Sequence, residues 1–181
     1  MVIPTAYPPL GGVADADARA KLRSHFGEFQ DAEYGQAWAK LWDSGSFLPW
    51  DRGRPSPALI DTLENYREVI GRPVFDGKRK KALVPGCGRG VDVLLLSSYG
   101  YDAVGLEISP QAVTACNEFA EANESSYPVR DEKVGKGSTQ FVLGDFYKNE
   151  WKKEVGMDES ETFDLVYDYT VSKLSSASRA D

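Results

Sequence analysis

Histidine and cysteine are scarce in this chain. It has one histidine, His25, and two cysteines, Cys87 and Cys116. Two cysteines cannot form a disulfide framework and suit a reducing compartment. His25 falls on a polar N-terminal helix and reads as a surface residue, so no histidine is put forward as an acid or base. No apolar run approaches the roughly 20 residues needed to span a bilayer. The opening MVIPTAYPPLGG has neither an apolar signal core nor an Arg-rich amphipathic transit helix. Positive charge is also in deficit, with 21 Lys and Arg against 28 Asp and Glu, a formal charge of −7. That balance argues against a general nucleic-acid or membrane-surface role. The only basic run, Lys78-Arg79-Lys80-Lys81, reads as a solvated stretch leading into a strand. These absences describe a soluble, cytoplasmic protein.

The chain does have enough apolar residues for one packed core, at 41% hydrophobic and 12% aromatic. A flexible Pro- and Gly-rich arm is expected over residues 1–13. Helices are expected over 14–25 and 33–43, the second with Tyr34, Ala37, Trp38, Leu41 and Trp42 on one face and Gly45 after it. A loop punctuated by Pro and Gly follows. Ser56 then caps a third helix with Pro57 in its first position and a stripe of Leu59, Leu63, Tyr66 and Ile70. From Lys81 the rhythm alternates: strand 81–84, Gly-rich turn, helix 91–98, strand 103–106. Ser109 and Pro110 open a helix reaching about 123, a polar loop covers 124–138, and strands follow at 141–143 and 163–167. This order predicts an α/β fold with a parallel, doubly wound, Rossmann-like sheet. The chain divides into a helical N-terminal cap or lid (14–76), an α/β core (77–170) and a polar tail (171–181).

Three motifs fall at the carboxyl ends of successive strands, the edge at which open α/β sheets bind ligands. Val84-Pro85-Gly86-Cys87-Gly88-Arg89-Gly90 opens a helix, and its glycines let the backbone approach a ligand. Any tight strand-to-helix turn can use glycine, so this motif alone is weak. Glu107, in Gly105-Leu106-Glu107-Ile108-Ser109, can accept both hydroxyls of a ribose, with Ile108 against a purine face. It can equally be an acidic residue favoured near a helix start. Asp145 and Phe146 suit an adenine amino group and ring, although Asp145 can also be a helix cap. Taken together, the three motifs point to a nucleotide. The glycine spacing is G-x-G-x-G, not the dinucleotide G-x-G-x-x-G.

That spacing, with Glu107 and Asp145-Phe146, resembles class I S-adenosylmethionine-dependent methyltransferases. Further motifs resemble the thiopurine methyltransferase superfamily, in its thiol and halide methyltransferase branch of plants and fungi. They are Trp38 to Trp42, Pro49-Trp50-Asp51, Pro85 to Gly90, Gly105 to Ser109, and Phe163 to Thr170 with its F-D-x-x-x-D-Y-T pattern. Glu107 stands where the family typically has Asp. The resemblance implies an S-adenosyl-L-methionine cofactor held by Trp38, Trp42, Trp50, Gly86, Cys87, Gly88, Glu107, Ile108, Asp145 and Phe146. The tryptophans would enclose the sulfonium, or else simply pack the cap helix onto the core. Cys87 has no nucleophilic role in this resemblance, and Cys116 reads as helix packing.

The implied reaction moves a methyl group to a small thiol, hydrosulfide or halide. It needs positioning and exclusion of water, with no metal. Tyr167 and Asp168 face the place where donor and acceptor would meet and are the catalytic candidates. The resemblance stops at Thr170, where the family continues with strands that complete the sheet and the acceptor pocket. Val171-Ser172-Lys173 is encodable by GTAAGTAAG, the form of a splice donor, which is one expectation for why it stops there. The expected strand order 3-2-1-4 leaves the fourth strand as an open edge, with self-association or a covering partner as the consequence. Two other readings stand beside the methyltransferase. One is a truncated product of the same family that binds cofactor or a partner without turnover. The other is an NAD(P)-dependent oxidoreductase, which the glycine spacing and the tryptophans oppose.

Overall fold

A computed structural model describes residues 13–30, 33–169 and 171. The expected arm, apart from Val13, and the tail beyond Val171 lie outside the described residues. The elements are α1 (Val13–Phe26), α2 (Tyr34–Ser44), α3 (Pro57–Asn65), α4 (Arg67–Ile70), β1 (Val74–Phe75), β2 (Lys78–Arg79), β3 (Lys81–Pro85), α5 (Val91–Ser98), β4 (Asp102–Glu107), α6 (Pro110–Asn123), β5 (Thr139–Leu143) and β6 (Leu165–Val166).

Four parallel strands form one sheet in the order β5-β4-β3-β6, the expected 3-2-1-4. In β3 side chains alternate between the two faces, as strand geometry requires. Ala82 and Val84 pack with Leu59, Leu63, Val93, Leu95 and Leu96 on one face. Leu83 packs with Val104, Leu106, Val142 and Trp151 on the other. α3 thus packs directly on the sheet. β6 is shorter than the expected 163–167: Phe163 stacks on Trp151 at 5.9 Å instead of pairing, and only Leu165 and Val166 register with β3.

Four other expectations are corrected. The basic run is not a solvated stretch, because Val74–Phe75 and Lys78–Arg79 pair as an antiparallel hairpin. Asp76 and Gly77 turn it with φ of 48° and 72°, the left-handed pair that a tight hairpin uses. Arg79 then donates to the carbonyls of Gly100 and Val134 at 2.9 and 2.7 Å, and Lys80 Nζ to that of Ile70 at 3.2 Å. His25 is half-buried, with Nε2 2.9 Å from the Ala37 carbonyl and its ring 5.2 Å from both Phe26 and Phe29, so it ties α1 to α2. Ser56 stands at the start of α3 but makes no side-chain cap. The segment expected as a loop over 124–138 begins with a short 3-10 turn, Glu124–Ser126. Ser109, by contrast, does cap α6, its hydroxyl accepting from Ala112 N.

Candidate active site at the carboxyl edge of the sheet

The glycine turn joins β3 to α5. Gly86, Gly88 and Gly90 have φ of 58°, 58° and 78°, a region that costs side-chain-bearing residues strain. A Cβ on Gly90 would lie 2.5 Å from Phe141, so that glycine also lets β5 close on the turn. One strand over, β4 ends in Glu107, 7% exposed. Its Oε1 accepts from Gly88 N at 2.8 Å and its Oε2 from Ile108 N at 3.1 Å. Burial pushes the carboxyl up to about 7, against the opposing hydrogen bonds from Gly88, Ile108 and Ser109. A carboxylate has about four lone-pair positions, so with Gly88, Ile108 and Ser109 donating, acceptor capacity remains for a hydroxyl donor.

An aromatic cap lies over the turn. Trp42 is buried, and a Cβ on Gly88 would be 3.9 Å from its ring. Trp50 contacts Trp38 at 4.9 Å and Trp42 at 6.3 Å between centroids, and Phe26 packs on Trp38 at 4.6 Å. The structure therefore brings the three tryptophans and the glycine turn together. It also fixes the loop that carries Trp50. Asp51 Oδ2 accepts from Arg89 Nε at 2.7 Å and pairs with its Nη2 at 2.6 Å, while Asp51 Oδ1 accepts from Gly53 N at 3.3 Å. Further along the loop, Ser56 N donates to Asp92 Oδ1 at 2.7 Å. Sequence reasoning missed the Asp51–Arg89 pair. Both residues stand inside the quoted motifs, but motif spacing carries no information on which charges meet.

The remaining candidates are placed differently. Ile108 packs toward α2, where a Cβ on Gly35 would lie 2.6 Å from its Cδ1. Gly35 was not foreseen, and it is the residue that lets the helix approach. Asp145 Oδ1 accepts from Tyr147 N at 3.0 Å within a turn, so it does not cap a helix: the next helical element starts at Glu150 behind Asn149. Phe146 packs beside the Leu83–Trp151 core, with Tyr147 5.4 Å away edge-on. Tyr147 Oη in turn reaches the Val171 carbonyl at 3.5 Å, and Val171 lies over Gly86. Asp168 Oδ1 accepts from Val171 N at 2.8 Å.

Tyr167 is the outlier. Its ring packs with the Leu59–Val93 core, and its buried Oη neighbours the Ser56 hydroxyl without a well-formed hydrogen bond. Burial raises its pKa, opposed by the Ser56 hydroxyl and reinforced by Asp92, so at neutral pH it is a protonated donor. Among the described residues no group of three or more His, Cys, Asp or Glu could hold a metal ion, and no helix is long and apolar enough to cross a membrane.

Known proteins resemble this chain over most of its described residues. The sequence model of the thiopurine S-methyltransferase family matches residues 34–172. The probable thiol methyltransferase 2 of Arabidopsis thaliana is 33% identical over 134 residues, covering 74% of this chain and 46% of the relative. Thiocyanate methyltransferase 1 of Brassica oleracea is 32% identical over 135 residues, covering 74% and 47%. A solved structure described as "Conversion of a Disulfide Bond into a Thioacetal Group during Echinomycin Biosynthesis" is similar at 26% identity and a TM-score of 0.47, over 69% of this chain and 39% of that one. The chain thus spans about half the length of the curated relatives it matches. With the family match running from the first tryptophan helix through β6, the chain belongs to the thiopurine S-methyltransferase family.

Proposed function

We propose that this chain is an S-adenosylmethionine-dependent methyltransferase acting on a small, soft nucleophile such as a thiol, hydrosulfide or halide in the cytoplasm. The observation that carries the reading is Glu107. It is a buried carboxylate at the end of β4, held to the glycine turn by Gly88 N, the residue that Trp42 approaches, with acceptor capacity to spare. The residues present fit the cofactor. Glu107 would accept the ribose hydroxyls, and Gly86, Cys87 and Gly88 would bring backbone close to the amino-acid end. Trp38, Trp42 and Trp50 would present indole faces to a cation, an interaction worth roughly 0.5–2 kcal/mol. Ile108, Asp145 and Phe146 would bound the adenine side.

When bound, the cofactor supplies an already activated methyl group. The protein's own work is alignment and exclusion of water, which can lower a barrier by several kcal/mol. The Asp51–Arg89 pair holds the cap over the site. Tyr167 Oη would serve as a donor to an anionic acceptor, and Asp168 orders the backbone at Val171 over Gly86. Thiocyanate and thiol acceptors appear in the relatives' names. The halide is the extension offered here.

A second reading has its own support. The chain spans about half of its relatives' length, and among the described residues the sheet stops at β6. In this reading it binds the cofactor without turnover. Isothermal titration of the purified chain with S-adenosylmethionine, S-adenosylhomocysteine and NADH tests both readings. Saturable one-site binding of the first two, and none of NADH, is the expected result. A thiol, thiocyanate and halide screen then separates turnover from binding alone. No binding to a folded sample removes both.

A further inference from the structure

Cys87 and Cys116 are far apart in sequence, yet their sulfurs are 3.7 Å apart. Cys87 sits in the glycine turn. Cys116 is 0% exposed in α6, and its Sγ donates to the Gly88 carbonyl at 2.8 Å. Space for the pair comes from Gly105 of β4, where a Cβ would lie 2.7 Å from Cys87 Sγ. Nothing in the methyl-transfer reading uses either sulfur. We propose that Cys87 and Cys116 form an oxidisable dithiol site that closes to an intramolecular disulfide under a two-electron oxidant and so resets the glycine turn.

The atoms balance with hydrogen peroxide as the oxidant. One thiolate attacks a peroxide oxygen, giving a sulfenic acid and releasing water. The second sulfur displaces the sulfenic oxygen as a second water, and the S–S bond forms. Both sulfurs are oxidised, the peroxide is reduced, and both thiol protons leave in the two waters. The sulfurs must close from 3.7 Å to about 2 Å. Cys116 is fixed in a continuous helix of 14 residues, whereas Cys87 lies between two left-handed glycines, so the turn is the part that moves. Closure also removes the Cys116 hydrogen that holds the Gly88 carbonyl, in the residue whose N–H binds Glu107. In the reduced state the Cys87 thiol is pushed up by its hydrogen bond with Cys116 and by burial. Cys87 therefore rests protonated, which makes its oxidation slow at neutral pH and faster as pH rises.

Formation of the disulfide does not rest on the methyl-donor reading; only its effect on cofactor binding does. The test is to treat the full chain with hydrogen peroxide and follow it by intact mass, thiol titration and non-reducing peptide mapping. The expected result is loss of about 2 Da and of both free thiols, with a peptide joining positions 87 and 116, reversed by dithiothreitol. Cys116→Ser and Cys87→Ser each abolish the loss. Oxygen added to single cysteines without a cross-link would overturn the site. Hydrogen exchange at residues 86–90 reads the turn without any ligand. Altered protection on oxidation is expected, and an unchanged pattern overturns the coupling. S-adenosylhomocysteine affinity should fall roughly tenfold in the oxidised form. Equal affinity in both forms also overturns the coupling. Failure of the reduced form to bind would sink the donor-site reading and leave the disulfide to be judged on mass and exchange.

Discussion

At the scale of single residues, Glu107 sets the most measurable consequence. Its carboxyl is raised from 4.5 to about 7, chiefly by burial. An acid with a raised native pKa binds its proton more tightly when folded. The stability it contributes is full below about 4.5 and is lost as pH rises through about 7. The span corresponds to at most about 3 kcal/mol. Urea denaturation at pH 5 and pH 8 should show this slope added to that of the other carboxylates, and Glu107→Gln should remove it. A variant with the parent's pH slope would show that Glu107 does not titrate in this range. The same carboxyl links to ligand. Ribose hydroxyls donating to it favour the charged form, so S-adenosylhomocysteine should bind more tightly as pH rises toward 8 and release a proton as it does. Titration in buffers of different ionisation enthalpy measures that proton directly.

At the scale of elements, the cap loop is held at two points, Asp51 on Arg89 and Ser56 N on Asp92. The Arg89 side chain is 35% exposed against 13% for Asp51, so screening limits the pair to about 1 kcal/mol of stability or less. Its larger effect belongs to the loop. Asp51→Ala and Arg89→Ala should each raise the dissociation rate of S-adenosylhomocysteine several-fold, and the double variant should be no worse than either single. Additive losses in stopped-flow tryptophan fluorescence would show that the two residues act separately.

Elements also show what the sequence made legible. The turn Gly86–Gly90 and the Ser109-Pro110 helix start were readable because glycine φ and capping chemistry are local. The order of the four strands followed from the resemblance. The hairpin Val74–Arg79 is not legible in the sequence, because two-residue strands are too short to show alternation. Contacts across the fold were equally hidden: His25 on Ala37, Gly35 under Ile108, the Asp51–Arg89 pair and the Cys87–Cys116 contact. Each depends on how α2, the cap loop or α6 is docked, and periodicity says nothing about docking.

At the scale of the whole molecule, the sheet has two outer strands, and they differ. β5 pairs with β4 over five registered positions and is flanked by α6 and the Trp151 turn. β6 pairs with β3 at two positions only, its Val166 is 49% exposed, and no strand pairs with its outer side among the described residues. Tyr169, also exposed, carries Arg52 5.8 Å from its ring and gives this edge an aromatic rim. An apolar edge with open backbone groups recruits another chain. The 181-residue chain purified alone should therefore associate with rising concentration in sedimentation velocity. Val166→Lys places a charge at an exposed position without touching the core, and it should return the protein to monomer at unchanged circular dichroism. If parent and variant are both monomeric, Tyr169 and Val171, the latter held by Asp168 and Tyr147, are enough to keep the edge from pairing. If both associate, the contact lies elsewhere on the surface, and the next face to test is the one carrying exposed Val69 and Phe75.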